Sequence, residues 1–550
     1  MNGESPRIVG GGAYAPRNRL SSEAVAEAWG RSQARGVERV AVPDADEDSL
    51  TMAAAAARRA LAAADRDAGS VELLVFATTT PPVEEPELTP RLGEFLGVPE
   101  TAARRTHAGG TRAGTAALAD ALAALGGEVE TTGVGARAAT DGSAPAGVDG
   151  PALVVAADAP LGEPNDETGH AAGAAAGALV LDTGRPEGDD ASAASGARVL
   201  ARGEYATDYA GTRGRERGAV ETGGLDVTTY DRAAFREPAT GAVDALVAGA
   251  PQTAPDPSEV DALAITAPDG DRPARVAGAL DCSPDRITTP VRRLGDTGAA
   301  GPLVGLVRSF ADGPNPTGDA DDTHAATGAA EHHTLCVGVG SGGAADAALI
   351  AGTAPVSTRL DGTRTVSYTD ALRLRDRITG DAPAGGGAAV SVPTWRRSRA
   401  ARYRLVAGAC PNCGALSFPA EGACGDCHDL VSYDRVRLPR TGELVTVTGI
   451  APGGAPPEFV PQAERGGDFP VGIVRFERDG ETVDVPMQVC DADAVGRAGD
   501  ASGERESDVG DTAPESSRVT AGDTVGHVVR RVYEQEGVVR YGAKARPVDD

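Results

Sequence analysis

Residues 71–82, VELLVFATTTPP, lead into a helix pattern ending at Leu96-Gly97-Val98 and then into Gly110-Thr111-Arg112-Ala113-Gly114-Thr115-Ala116-Ala117-Leu118. Residues 260–269, VDALAITAPD, lead into a second helix pattern ending at Leu280-Asp281-Cys282 and then into Gly295-Asp296-Thr297-Gly298-Ala299-Ala300-Gly301-Pro302-Leu303. The same parts come twice in the same order: apolar strand, polar loop, helix, short link, and a helix start made of small residues. A repeat of this kind reports architecture before any single motif does. Strands alternating with Ala-rich helices predict an α/β class with the sheet covered on both faces. The echo predicts two related βα halves facing each other. There the loops after the strands and the helix N-termini of both halves converge, and their free N–H groups favour an anionic or oxyanionic ligand.

Working outward, Ile8-Val9 reads as a first strand and Gly10-Gly11-Gly12 as the turn that ends it, without the spacing of a dinucleotide-binding loop. Leu50–Ala64 reads as a helix. Polar, Gly- or Asp-rich stretches at 126–150, 312–333 and 491–517 read as insertions on this framework. The expected organisation is an α/β domain over 1–380, a Gly/Ala-rich linker over 381–392, a basic helix with a metal ribbon over 393–435, and a small barrel over 436–550 that carries the acidic insertion 491–517.

The chain has 550 residues, with 52 Lys+Arg against 80 Asp+Glu and a net charge of −28, and its only lysine is Lys544. Such a balance argues against phosphate backbones and anionic lipid, which are held by positive patches. Acid excess with almost no lysine fits a salt-rich cytoplasm, where dense carboxylates stay hydrated and their repulsion is screened. The start Met1-Asn2-Gly3-Glu4-Ser5 lacks the basic, apolar pattern of a secretory signal, and no apolar run reaches the roughly 18 residues of a membrane span, so a cytoplasmic protein is expected.

Four of the seven cysteines form one cluster, Cys410-Pro-Asn-Cys413 and Cys424-Gly-Asp-Cys427. Two CxxC knuckles supply the four thiolates of a closed tetrahedral site, which points to structural zinc, with iron open in the same geometry. His428 adjoins Cys427, yet four sulfurs already complete the shell. Short alternating segments follow at 443–450, 471–477, 482–489, 524–532 and 538–541. Five such strands with Gly/Pro turns predict a small β-barrel, most simply an OB-fold. Nucleic-acid binding by that barrel conflicts with its sparse aromatics and acidic surroundings.

The ribbon, the barrel and the ending Glu536-Gly-Val-Val-Arg-Tyr-Gly-Ala-Lys-Ala-Arg-Pro547 resemble the rubredoxin-like zinc-ribbon/OB-fold family associated with acyl-CoA enzymes, whose members accompany thiolase-like proteins. The N-terminal part resembles the thiolase superfamily, and within it the archaeal type of hydroxymethylglutaryl-CoA synthase. The likeness rests on the order of Arg7–Pro16, Ala77–Pro82, Ala113–Leu118, Ala152–Pro160 with Gly162–Gly177, and Gly338–Ala347, with Ser367–Arg377 similar to a closing helix. It implies a thiolase-like fold, a coenzyme A thioester as ligand or substrate, and a homodimer or a complex with a thiolase or synthase.

The same resemblance places a cysteine nucleophile, a glutamate acid/base and an acyl-orienting histidine at positions that here hold Thr111, Thr79 and Thr266. Gly114, Thr297, Gly298, Gly340 and Gly342 keep the family's substrate-binding turns, with Asp296 in place of an asparagine. No cysteine precedes Cys282, so the nucleophile is missing from the whole first half. A threonine hydroxyl is a weak nucleophile without a base in hydrogen-bond reach. The sequence offers His107 and His170 in the same half, while Cys282 and Cys336 read as small buried hydrophobes. Two expectations follow: an acyl-CoA-binding scaffold or channelling subunit fused to its zinc-ribbon/OB partner, and alternatively an acyltransferase working without an acyl-cysteine, with Thr111 or His107 polarising the substrate.

Overall fold

The computed structural model describes residues 6–126, 131–132, 148, 150–183, 196–209, 213–224, 228–313, 331–380, 391–492, 494–495, 518–535 and 538–548. Much of the stretches 126–150, 312–333 and 491–517, and most of the linker 381–392, lies outside the described residues. The chain divides into two compact units, Met1–Pro43 with Asp48–Ala371, and Asp44–Glu47 with Leu372–Asp550.

The first unit is built on strands β1 (Arg7–Tyr14), β2 (Leu73–Ala77), β3 (Ala103–His107), β4 (Ala152–Asp158), β5 (Ala175–Asp182), β6 (Ala197–Ala206), β7 (Ala262–Ile265), β8 (His333–Gly340) and β9 (Ala344–Ala351). They lie in one sheet in the order β7-β8-β9-β6-β1-β5-β4-β2-β3. In the first half β2 is parallel to β3 and β4, β4 is antiparallel to β5, and β5 is antiparallel to β1. In the second half β7 is parallel to β8, β8 antiparallel to β9, and β9 antiparallel to β6. A parallel bridge from Leu263 to Ile287 stands beside β7 as β3 stands beside β2. The halves meet where Arg7 faces Arg198 and Ile8 faces Ala197. The sequence echo is thus a topological repeat, and β2, buried at every residue, is the apolar run of a strand covered on both faces.

Helices α1 (Ser49–Ala63), α2 (Ala113–Ala124), α3 (Thr228–Gly249), α4 (Asp271–Ala279) and α5 (Gly301–Asp312) complete the first unit's main elements. Asp48 and Thr51 form a capping box that fixes the start of α1. The glycine triplet differs from its expected role: β1 runs straight through it, and no turn forms. A Cβ on Gly12 would stand 2.2 Å from Ala56 O and one on Gly10 2.6 Å from Ala64 Cβ, so these residues let α1 lie directly on the strand. The small residues of α2 follow the same logic, since a Cβ on Gly114 would fall 2.2 Å from Ala299 O of the second half.

In the second unit α6 (Val392–Arg404) precedes a ribbon sheet of Val406–Ala409 flanked by Leu416–Ser417 and Asp434–Arg437. Five antiparallel strands follow: β10 (Thr441–Ile450), β11 (Phe469–Arg478), β12 (Glu481–Gln488), β13 (Thr524–Gln535) and β14 (Val538–Pro547). Their order is β12-β11-β10-β13-β14, and a bridge from Val489 to Ala545 brings the ends together into a nearly closed barrel. Val483, Val485 and Met487 alternate inward along β12, the period-2 pattern of a half-buried strand. Lys544 is buried in β14, with 1% of its surface exposed. Among the described residues no helix is long and apolar enough to cross a membrane.

Candidate functional site

Thr111 stands just before α2, where strand-end loops of both halves converge, and is 6% exposed. Its hydroxyl donates to Val339 O near the end of β8 at 2.6 Å. Thr266, which follows β7, accepts at Oγ1 from Val339 N–H at 3.0 Å. One residue of β8 therefore holds both threonines. Arg112 and Thr115 anchor the start of α2 to Asp346 of β9 at 2.8 and 3.1 Å. Burial pushes the Asp346 carboxyl up to about 6, against the pull of the Arg112 guanidinium.

Thr79 serves a different centre. Asp158, fully buried at the end of β4, accepts from the hydroxyls of Thr78, Thr79 and Thr80 at 2.9, 2.8 and 3.0 Å. It also accepts from the N–H groups of Thr79, Thr80 and Ala299 at 2.6, 3.1 and 2.7 Å. The threonine run is the donor set of one buried carboxylate that ties a first-half loop to the second-half turn. Burial raises the pKa of Asp158, and the bonds from Ala299 and Thr79 oppose that rise. Gly298 sits against Asp158 with φ +54°, and a Cβ there would stand 2.2 Å from Asp158 Oδ2. Thr297 is buried beside it.

A cavity of about 340 Å³ opens over these loops, lined among others by Thr111, Thr266, Asp296, Val339, Gly340 and Ser341. Of the residues expected at the site, Thr111, Thr266 and Gly340 line it. Thr79, Gly114, Thr297, Gly298 and Gly342 do not, and the first four act in the packing beneath. Five arginines and six carboxylates line the cavity as well. Arg213 pairs with buried Asp296, and Arg272 bridges Asp231 and Asp269. Arg35, Arg232 and Arg275 have no hydrogen-bonded or ion-paired side-chain partner among the described residues. These cations come from three separated segments with no shared spacing, so sequence reading missed them.

Among the described residues no histidine or cysteine lines the cavity. His107 Nε2 lies 3.1 Å from Asp120 Oδ2. His170 accepts at Nδ1 from Gln33 N–H at 3.0 Å, so Nε2 carries the proton and donates to Pro164 O at 3.0 Å. Cys282 and Cys336 are buried in apolar clusters, and burial raises both thiols, Cys336 to about 12. They are small core residues, as expected.

In the second unit the Sγ atoms of Cys410, Cys413, Cys424 and Cys427 lie within 4.8 Å of one another, with Cys410–Cys427 at 3.7 Å and Cys413–Cys424 at 3.5 Å. Bonds of about 2.3 Å to a tetrahedral ion put sulfurs about 3.8 Å apart, so the four cysteines are positioned to hold a metal. Each knuckle closes through its own backbone, by Gly414 N–H to Cys410 O and His428 N–H to Cys424 O. His428 itself is exposed.

Residues 397–431 match the family model of the ChsH2 rubredoxin-like zinc ribbon domain. Solved structures similar to the chain include MvaS in complex with 3-hydroxy-3-methylglutaryl coenzyme A, at TM-score 0.51 and 19% identity over 70% of this chain and 95% of that one. Another is a hydroxymethylglutaryl-CoA synthase complexed with CoA, at TM-score 0.53 and 13% identity over 70% of this chain and 94% of that one. The first unit has a thiolase-like fold. In sequence the chain is similar to the hydroxymethylglutaryl-CoA synthase of Thermococcus onnurineus, 29% identical over 174 residues, which are 32% of this chain and 44% of that one. The chain thus spans less than half the length of that relative. The synthase of Methanopyrus kandleri is 25% identical over 55% of this chain and 79% of its own length. A DUF35 domain-containing scaffold protein of Methanocaldococcus jannaschii is 26% identical over 29% of this chain and 92% of its own length.

Proposed function

We propose that the thiolase-like unit binds a coenzyme A thioester without passing the acyl group through a cysteine, and that the chain is a scaffold or substrate-channelling subunit of acyl-CoA metabolism. The observation that carries this reading is the state of Thr111. Its O–H is committed to a backbone carbonyl, and among the described residues no histidine or cysteine lines the cavity to activate it. Arg35, Arg232 and Arg275, which have no hydrogen-bonded or ion-paired side-chain partner among the described residues, suit the phosphates of such a ligand, because planar guanidiniums bind phosphate bidentately. The ribbon holds zinc in a closed shell, which stabilises the fold and offers no open position for catalysis. The resemblance to synthases and to a scaffold protein supports a homodimer, or a complex with a thiolase or synthase, as the working assembly.

One observation favours a second reading. Thr266 accepts from Val339 N–H and so keeps its own O–H to donate toward a thioester carbonyl in the cavity. Incubation with labelled acetyl-CoA and acetoacetyl-CoA in high salt separates the two. Binding without CoA release is expected of a scaffold, together with recovery of a thiolase or synthase in a pull-down. CoA release that Thr111→Ala abolishes would overturn the scaffold reading and favour an acyltransferase without an acyl-cysteine.

A further inference from the structure

Residues 213–224, RGRERGAVETGG, form a strap at the cavity, which Arg213, Gly223 and Gly224 help to line. The strap closes on itself where Gly214 N–H donates to Gly223 O and Gly223 N–H to Gly214 O, both at 2.9 Å. Its ties reach loops of both halves. Arg213 N–H donates to Ser341 Oγ at 3.0 Å, the Ser341 hydroxyl donates back to Arg213 O at 2.5 Å, and the Arg213 guanidinium pairs with Asp296. Arg215 donates to Thr79 O at 2.6 Å and Thr222 N–H to Leu161 O at 2.7 Å. The described ties are polar, and the strap's one large apolar residue, Val220, is 56% exposed. A segment held by polar ties and little apolar burial opens at lower cost than the core.

We propose that this strap is a latch on the cavity and that the Arg213–Asp296 pair is its catch. Asp296 is buried at 2% exposure and its other oxygen accepts from Gly298 N–H at 2.9 Å, so the carboxylate stays fixed while the strap carries Arg213 away from it. The latch itself stands on the geometry alone; its role in admitting a coenzyme A thioester rests on the proposed function.

Limited trypsin digestion of the full chain, with cuts after Arg215 and Arg217 mapped by mass spectrometry, tests the latch without ligand. Asp296→Asn and Arg213→Gln are expected to speed those cuts about tenfold, the factor that about 1.4 kcal/mol of lost tie makes in an opening equilibrium. Cutting after exposed Arg397 serves as the control. If Asp296→Asn speeds every site, the fold itself has loosened, and Ser341→Ala, which removes a tie but no buried charge, decides in its place. Strap cuts at the wild-type rate in Arg213→Gln and Ser341→Ala would overturn the latch. Stopped-flow mixing with CoA then tests the gate: association about tenfold faster in Asp296→Asn is expected, and an unchanged rate overturns the gating role. Absence of CoA binding in both proteins tells against the proposed function and leaves the trypsin result standing.

Discussion

Thr111 and Thr266, one from each half of the repeat, grip the two backbone polar atoms of Val339: the first donates to its carbonyl at 2.6 Å and the second accepts from its N–H at 3.0 Å. The grip sorts the two hydroxyls by role. Thr111 presents lone pairs to the cavity, whereas Thr266 presents a proton. Thr266→Val should therefore weaken acetyl-CoA binding more than CoA binding, because only the thioester offers a carbonyl, and the lost donor is worth about 0.5–1.5 kcal/mol. Calorimetry on both ligands checks this; equal losses would mean that Thr266 does not face the carbonyl.

Gly298 combines a left-handed φ of +54° with contact against a buried carboxylate. Gly298→Ala should destabilise the first unit by about 2–4 kcal/mol, since the added Cβ needs both an unfavourable backbone and displacement of Asp158. Gly342→Ala shares the positive φ, at +97°, but meets nothing within 4 Å. It should cost about 1 kcal/mol. Urea unfolding of the two variants checks both, and a loss at Gly298→Ala no larger than at Gly342→Ala would mean that the close approach to Asp158 costs little.

Asp346 sets a pH dependence with a defined sign. Its pKa rises from 3.8 to about 6 on folding, so the folded state binds the proton more tightly. Stability from this group is fully present below about pH 4, falls as pH rises toward 6, and is level above that. Relative to Asp346→Asn, the wild type should lose on the order of 3 kcal/mol across that window. Parallel stability–pH curves for the two proteins would show that Asp346 does not titrate there.

The four-cysteine centre predicts about one zinc per chain, lost in Cys413→Ser with Cys424→Ser. Because the thiolates hold together knuckles with a three-residue buried cluster of Cys410, Ala415 and Cys424, metal removal by chelator should lower the melting temperature of the second unit. Elemental analysis alongside a thermal scan reads both, and a metal-free protein with an unchanged melting point would exclude a structural metal.

Much of this was legible in one dimension. The two halves were visible because each repeats a buried strand and a small-residue helix start, and the close approach of Gly114 to the Ala299 carbonyl, between the two starts, demands that composition. The ribbon was visible because four thiolates at CxxC spacing have few other uses. The Gly10–Gly12 triplet misled because glycine serves turns and close packing alike, and only the position of α1 over β1 distinguishes them.

Sequence alone determined the class, the repeat, the four-cysteine cluster and the absence of any cysteine before Cys282, since each depends on residue type and spacing along the chain. Tertiary structure alone decided what the polar residues do. Thr79 turned out to serve the buried Asp158, Thr111 to spend its proton on Val339, and Arg213 to cross from the strap to Asp296. Those partners lie tens to hundreds of residues apart in the chain, and a hydroxyl or guanidinium has no role until folding brings its partner within about 3 Å.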